Sequence, residues 1–401
     1  MSTLSTFCRQ YLVFQSTPDL LFLAAYNPAI LFPSEVYPLA GLTQPQIEAA
    51  LSGYHDPYLE TDLISAGCVR DIRIDGPAIE VDIHLNYPSE YLKGGIAQVL
   101  QTSLENIDGC QSARVNITWE VEEHKSQSAL EAIAGVKNIV AIASGKGGVG
   151  KSTTSVNLAL ALAKDGAKVG LLDADIYGPS QGIMLGIEEG ARPETIDNKW
   201  FVPVEAHGIK SMSMAYLVTE STPMVWRGPM VSGALMQILT QTQWGELDYL
   251  LIDMPPGTGD IQLTLSQKFP VSGAVIVTTP QDIALADARK GVEMFNKVNI
   301  PVLGMIENMS MHICSQCGHA EHIFGQDGAE RLAETYQTKV LGSLPLSTYI
   351  RKQSDAGLPV VAADDCSEVS MMYRHAARRL AVTLATSETD QKIPDIQISD
   401  D

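Results

Sequence analysis

The chain has 401 residues and is 45% hydrophobic, enough for about two or three domains with sizeable cores. Its 27 basic residues face 47 acidic ones, a formal net charge of −20. Such a surface repels phosphate backbones and anionic lipid, so nucleic acid and membrane are not expected partners, and any phosphate must be held by a local site. The six cysteines are too sparse for a disulfide framework. No apolar run approaches the ~20 residues that span a bilayer. LLFLAA at 20–25, bracketed by Pro18, Pro28 and Pro33 with Arg9 as the only nearby basic residue, makes a poor secretory signal. A cytoplasmic location is the expectation.

Residues 1–42 read as an apolar, proline-punctuated N-terminal extension with no clear period and no assignable role. Residues 43–122 form a small α+β module. TQPQIEAAL (43–51) has a helical pattern, and CVRDIRID (68–75) and AIEVDIHL (78–85) alternate as half-buried strands do. Gly76-Pro77 marks the turn between those strands. A second helix is expected over 91–106 and a third strand over 113–121. Residues 123–137, containing the polar stretch HKSQSALEA, read as a linker.

From 138 to 385 the rhythm changes. NIVAIAS (138–144), KVGLLD (168–173), DYLLID (248–253), GAVIVT (273–278), PVLGMIE (301–307) and KVLGSL (339–344) are apolar and largely uninterrupted. Helical stretches such as 152–164 and 281–298 lie between them. Buried strands alternating with helices predict an α/β domain: a doubly wound, mostly parallel sheet covered on both faces. A last helix, 367–384, carries Arg374, Arg378 and Arg379 at i, i+4 spacing, expected on a solvated face. Residues 386–401 are polar and acidic and are expected to be disordered.

GKGGVGKST (145–153) follows the strand NIVAIAS and matches G-x-x-x-x-G-K-[ST] in full. Glycines at Gly145, Gly147, Gly148 and Gly150 let main-chain N–H groups, with those of Val149 and Thr153, turn inward around phosphate oxygens. The next helix presents its positive end. Lys151 is expected at the β- and γ-phosphates and the Ser152 hydroxyl on Mg²⁺. LLDADIYGPS (171–180) and LLIDMPPGTGD (250–260) place Asp173, Asp175 and Asp253 at strand C-termini, the edge where open parallel sheets bind ligands. Asp253 has the place of a Walker B aspartate on Mg²⁺, and Gly257 and Gly259 suit a loop that rearranges with the γ-phosphate.

HICSQCGH (312–319) holds Cys314 and Cys317 at C-x-x-C spacing, half of a metal site. Zinc on Cys314, Cys317, His319 and His322 is one reading, although His319, only two residues after Cys317, is tightly spaced. An iron–sulfur cluster is another, and soft thiolates accept both.

The second lysine, Lys146, gives K-G-G-x-G-K-[ST], which resembles the deviant Walker A of the MinD/ParA/nitrogenase iron-protein class. That resemblance implies a homodimer in which Lys146 reaches the partner's nucleotide. It also implies that Asp175 polarises the attacking water, that the loops after Asp173 and Asp253 are switch I and switch II, and that Asn308 contacts adenine. GKGGVGKST, LLDADIYGPS, MVWRGPM (224–230), DMPPGTGD, TTPQDIALADARKG (278–291) and ENMSMHICSQCGH (307–319) together resemble the Mrp/ApbC family of P-loop ATPases that carry iron–sulfur clusters. The resemblance covers roughly 43–385. It implies ATP and Mg²⁺ as cofactors and slow ATP hydrolysis. It further implies a 4Fe-4S cluster on Cys314 and Cys317 of two subunits, passed from scaffold proteins to apo client proteins. Some versions of the N-terminal module carry a reactive cysteine after the second strand; here that region reads HLNYPSEY (84–91), so no cysteine chemistry is expected there. The other readings are a MinD/ParA-like spatial regulator and an ATP-dependent zinc metallochaperone.

Overall fold

The computed structural model describes residues 41–124, 132–217, 228–314, 316–364 and 366–387. The N-terminal extension, most of the linker stretch, the start of MVWRGPM and nearly all of the acidic tail lie outside those residues.

The N-terminal module consists of α1 (Gln44–Ser52), β1 (Val69–Asp75), β2 (Ala78–Leu85), α2 (Lys93–Glu105) and β3 (Ser112–Trp119). β1 and β2 are antiparallel across a turn at Gly76, and β3 joins β2 in parallel. On β2 the alternation is complete: Ile79, Val81, Ile83 and Leu85 are buried and the residues between them are half-buried. The inward face packs on Ile96, Leu100 and Leu104 of α2 and Ile47 and Leu51 of α1.

The second unit runs β4 (Val136–Ala143), α3 (Lys151–Lys164), β5 (Val169–Asp173), β6 (Val204–Ala206), β7 (Ile209–Ser213), α4 (Gly228–Gln241), β8 (Leu247–Asp253), α5 (Asp260–Lys268) and β9 (Gly273–Thr278). It continues through α6 (Asp282–Lys297), β10 (Val302–Glu307), β11 (His312–Ile313), β12 (Ala320–Glu321), α7 (Gly328–Tyr336), β13 (Val340–Ser343), α8 (Thr348–Asp355) and α9 (Glu368–Thr386). Eight of the strands form one sheet in the order β6-β7-β5-β8-β4-β9-β10-β13, parallel except for the β6–β7 hairpin. Side chains leave each strand alternately to either face. Val140 and Ile142 of β4 enter the layer formed with α3 and α9, whereas Ile139, Ala141 and Ala143 enter the layer formed with α4 to α7. Both faces are therefore covered, as expected for this P-loop NTPase class of fold. Among the described residues, no helix is long and apolar enough to cross a membrane.

The hairpin β6–β7 was not expected. Its strands are short, and the polar Glu205, Lys210 and Ser211 interrupt the apolar signal that marks the inner strands.

The solvated arginine face expected on the last helix is corrected by the structure. Arg374 and Arg378 are each 1% exposed and close on Asp165, itself 1% exposed, at the C-terminal end of α3. Arg374 Nη2 and Arg378 Nε each donate to the carboxylate at 2.6 Å, and Arg378 Nη2 at 2.9 Å. Arg378 also donates to the Tyr58 hydroxyl of the N-terminal module at 2.9 Å, and Arg374 stacks on the Tyr91 ring at 3.7 Å. The spacing put Arg374 and Arg378 on one face, but that face is the seam between the two units. Arg379 alone is exposed.

Candidate functional site

β4 delivers the chain into the loop 144–150, and α3 leaves it. Gly148 and Gly150 both have φ +81°, a region L side chains avoid. At Gly150 a Cβ would also stand 2.1 Å from Asn308 Nδ2, so space and backbone both demand glycine. No side chain caps the start of α3, which leaves its first amides and positive dipole end available to an anion. The loop opens on a cavity of about 540 Å³, within the range of small-molecule pockets. Lys146 through Thr153, Asp175 and Asn308 line it, and α8 forms the opposite wall through Ile350, Arg351 and Asp355. Gly145, Asp173 and Asp253 lie outside the lining.

Asp253 is fully buried beneath the loop. Its Oδ1 accepts from Lys151 Nζ at 2.6 Å and Ser155 Oγ at 2.8 Å, and its Oδ2 from Gln181 Nε2 at 2.9 Å. The ammonium expected at the phosphates thus rests on this carboxylate, 3.2 Å from Ser152 Oγ. Each neutralises the other in a place water does not reach. Asp173 is equally buried and accepts from the backbone N–H groups of Asp175, Ser180 and Gln181 at 3.0–3.1 Å. Burial first, and the nearby Asp253 charge second, push its carboxyl up to about 7 against those donors. Asp173 therefore shapes the loop 173–181 rather than facing the cavity. Asp175 does face it, half-buried, with Oδ1 accepting from the Gly178 N–H at 3.2 Å.

Lys146 is half-buried, and its ammonium has no partner among the described residues. Asn308 follows β10 and donates through Nδ2 to the Val149 carbonyl at 2.9 Å, tying the end of that strand to the phosphate loop. The sequence reading missed two residues, Ser155 and Gln181. A serine inside a helix and a glutamine past a proline turn carry no local signal; only the fold brings both to Asp253.

The cysteine pair lies six residues after Asn308, on the turn of the hairpin β11–β12. The Gly318 N–H donates to the Cys314 carbonyl at 2.8 Å, with Gly318 at φ +71°, and the Cys314 N–H donates to the His319 carbonyl at 2.9 Å. Cys314 is half-buried and Cys317 exposed. The N–H groups of Gln316 and Cys317, then the Cys317 thiol, hold the Cys314 thiol below its ordinary value, which favours the thiolate that binds metal. His312 and His322 each turn Nδ1 to a main-chain carbonyl, of Leu346 at 3.3 Å and Ser310 at 2.7 Å. Among the described residues, no three His, Cys, Asp or Glu side chains converge to hold a metal ion. Cys68, in the module, is buried, and burial pushes its thiol up.

An iron–sulfur cluster carrier protein of Pseudomonas fragi is 65% identical over 279 residues, covering 70% of this chain and 97% of that protein. One of Escherichia coli K12 is 48% identical over 338 residues, covering 84% of this chain and 91% of the relative. Among solved structures, a nucleotide-binding protein of Archaeoglobus fulgidus in complex with ADP is 40% identical with a TM-score of 0.50, covering 56% of this chain and 87% of that one. Residues 44–117 match the iron–sulfur cluster assembly protein family, and residues 135–381 match the ParA family described as NUBPL iron-transfer P-loop NTPase. The chain belongs to the iron-transfer P-loop NTPases, with an iron–sulfur assembly module ahead of the NTPase core.

Proposed function

We propose that this protein carries iron–sulfur clusters, receiving them from scaffold proteins and delivering them to apo client proteins in the cytoplasm, and that it binds and slowly hydrolyses ATP as it does so. The observation that carries the reading is Asn308. It bonds the Val149 carbonyl of the phosphate loop and stands six residues before Cys314. One short segment thus links nucleotide to cargo, so a shift of the loop reaches the cysteines directly.

The residues suit a magnesium nucleotide. Left-handed glycines, uncapped amides at the start of α3 and a half-buried ammonium with no partner among the described residues form an anion cradle, and Gln181, whose Nε2 bridges Asp253 and the Ser152 carbonyl, leaves its buried Oε1 without a partner among those residues. Ser152 and Asp253 would hold the magnesium, which supplies charge neutralisation for phosphoryl transfer to water. Lys151 exchanges Asp253 for the β- and γ-phosphates, Asp175 orients the attacking water, and Asn308 borders the base. Lys146 is the group left to act across a two-fold axis.

Two thiols per chain, with no third ligand assembled among the described residues, favour sharing. Two copies related by two-fold symmetry supply four thiolates, the ligand set of a 4Fe-4S cluster. A spatial regulator that binds membrane or DNA is less well supported, because Arg374 and Arg378 are spent on Asp165. The test is iron and acid-labile sulfide analysis of anaerobically reconstituted full-length protein, with its mass in solution. About four irons per dimer are expected, lost in Cys314→Ala and in Cys317→Ala. Stoichiometric zinc without sulfide, or a full cluster on either variant, refutes the assignment.

A further inference from the structure

We infer that Gln181 is a positioning residue for the magnesium nucleotide, locking switch I to the two elements expected to hold the metal. The inference rests on the nucleotide reading of the loop and adds a residue to it.

Gln181 is fully buried and opens the short helix Gln181–Met184. Its Nε2 donates to Asp253 Oδ2 at 2.9 Å and to the Ser152 carbonyl at 3.1 Å. Both neighbours are acceptors, so the amide has one orientation. A flipped carboxamide would set oxygen against a carboxylate and a carbonyl. Its backbone N–H donates to Asp173 at 3.1 Å. One residue therefore joins the ends of β5 and β8 to the first turn of α3.

The division of the Asp253 carboxylate explains what this connection does. Oδ1 takes Lys151 and Ser155, whereas Oδ2 accepts from Gln181. When Lys151 leaves for phosphate, Ser155 and Gln181 still hold one oxygen each, and the carboxylate keeps its orientation. A side chain serving packing alone would be apolar here, since Gln181 Oε1 is buried without a partner among the described residues and a stranded acceptor is unfavourable. The same connection runs outward. A change at Asp253 or Ser152 pulls on Gln181, and through it on the loop 173–181 that carries Asp175.

The experiment uses the full chain and a fluorescent ADP analogue, titrated with and without Mg²⁺. Magnesium is expected to tighten binding by the wild type. Gln181→Met and Gln181→Leu should lose ~10-fold or more of that tightening, read for each variant as the ratio of its own affinities with and without magnesium. Hydrogen–deuterium exchange over 174–185 gives a second readout that needs no variant. In the wild type, magnesium with ADP should slow exchange there beyond ADP alone. Undiminished magnesium dependence in a folded variant overturns the inference, as does a wild-type segment 174–185 indifferent to magnesium. Failure of the wild type to bind ADP at all overturns the nucleotide reading itself, and the two failures are distinguishable.

Discussion

Replacing Asp165 by asparagine keeps the shape of the seam and removes the carboxylate that pairs with two guanidinium groups. Asp165, Arg374 and Arg378 are each 1% exposed, and three charge-assisted hydrogen bonds at 2.6–2.9 Å converge on the carboxylate. Asparagine leaves two desolvated cations facing each other. Breaking a buried ion pair from one side typically costs about 3–5 kcal/mol, and that is the loss expected here. For a unit of this size it corresponds to a drop of very roughly 6–20 °C in melting temperature. Arg374→Met is the informative contrast. Arg374 Nε and Nη1 are buried without partners, and its flat end packs on Tyr91, so an apolar chain of similar length relieves as much as it removes. That variant should stay within ~1 kcal/mol of wild type. Urea and thermal unfolding, followed by circular dichroism, measure both. If Asp165→Asn costs less than about 1 kcal/mol, or Arg374→Met costs as much as Asp165→Asn, the electrostatic account of the seam is wrong.

Gly150→Ala forces a side chain into φ +81° and against Asn308, and backbone strain of about 1–3 kcal/mol should weaken ADP binding ~10-fold or more; unchanged affinity in a titration would contradict the geometry of the loop. Gly357→Ala would place a Cβ 2.4 Å from the Gly186 Cα at φ +70°, so unfolding midpoints should show a loss of about 2 kcal/mol, whereas a neutral result would mean that the two chain segments separate freely. His375 Nδ1 shares a hydrogen bond with the Tyr58 hydroxyl, which itself accepts from Arg378. Burial, then the charges of Arg378 and Arg379, hold the His375 imidazole below 6.5 although Asp165 pulls the other way. Above 6.5 both folded and unfolded chains keep it neutral. As pH falls below 6.5 the unfolded chain takes up the proton first, so stability is lost down through the folded value. His375→Gln should lessen the fall in urea midpoint between neutral and mildly acid pH, and an identical fall in both proteins would remove His375 from the account.

The inner strands were legible because parallel strands covered on both faces need unbroken apolar runs, and NIVAIAS and DYLLID are such runs. The phosphate loop was legible because its backbone requires glycine at Gly148 and Gly150, a constraint written residue by residue. The hairpin β6–β7 was not, since an edge pair tolerates Glu205 and Lys210. The arginines were misread for a different reason. Periodicity says which residues share a face, while the charge that neutralises Arg374 stands 209 positions away. Gln181 and Ser155 escaped for the same reason: their roles are fixed by Asp253, which folding alone brings near.

α3 has 14 residues, so it is a rod of about 21 Å. At one end it carries the phosphate loop; at the other, Asp165 is gripped by α9 and, through Arg378, joined to Tyr58. A lever of that length converts a tilt of about 5° at the loop into a displacement of roughly 2 Å at its far end. The assembly module is thus mounted on the tip of the lever whose handle is the nucleotide site. Any tilt of α3 driven at the phosphates would be felt first at its seam with that module.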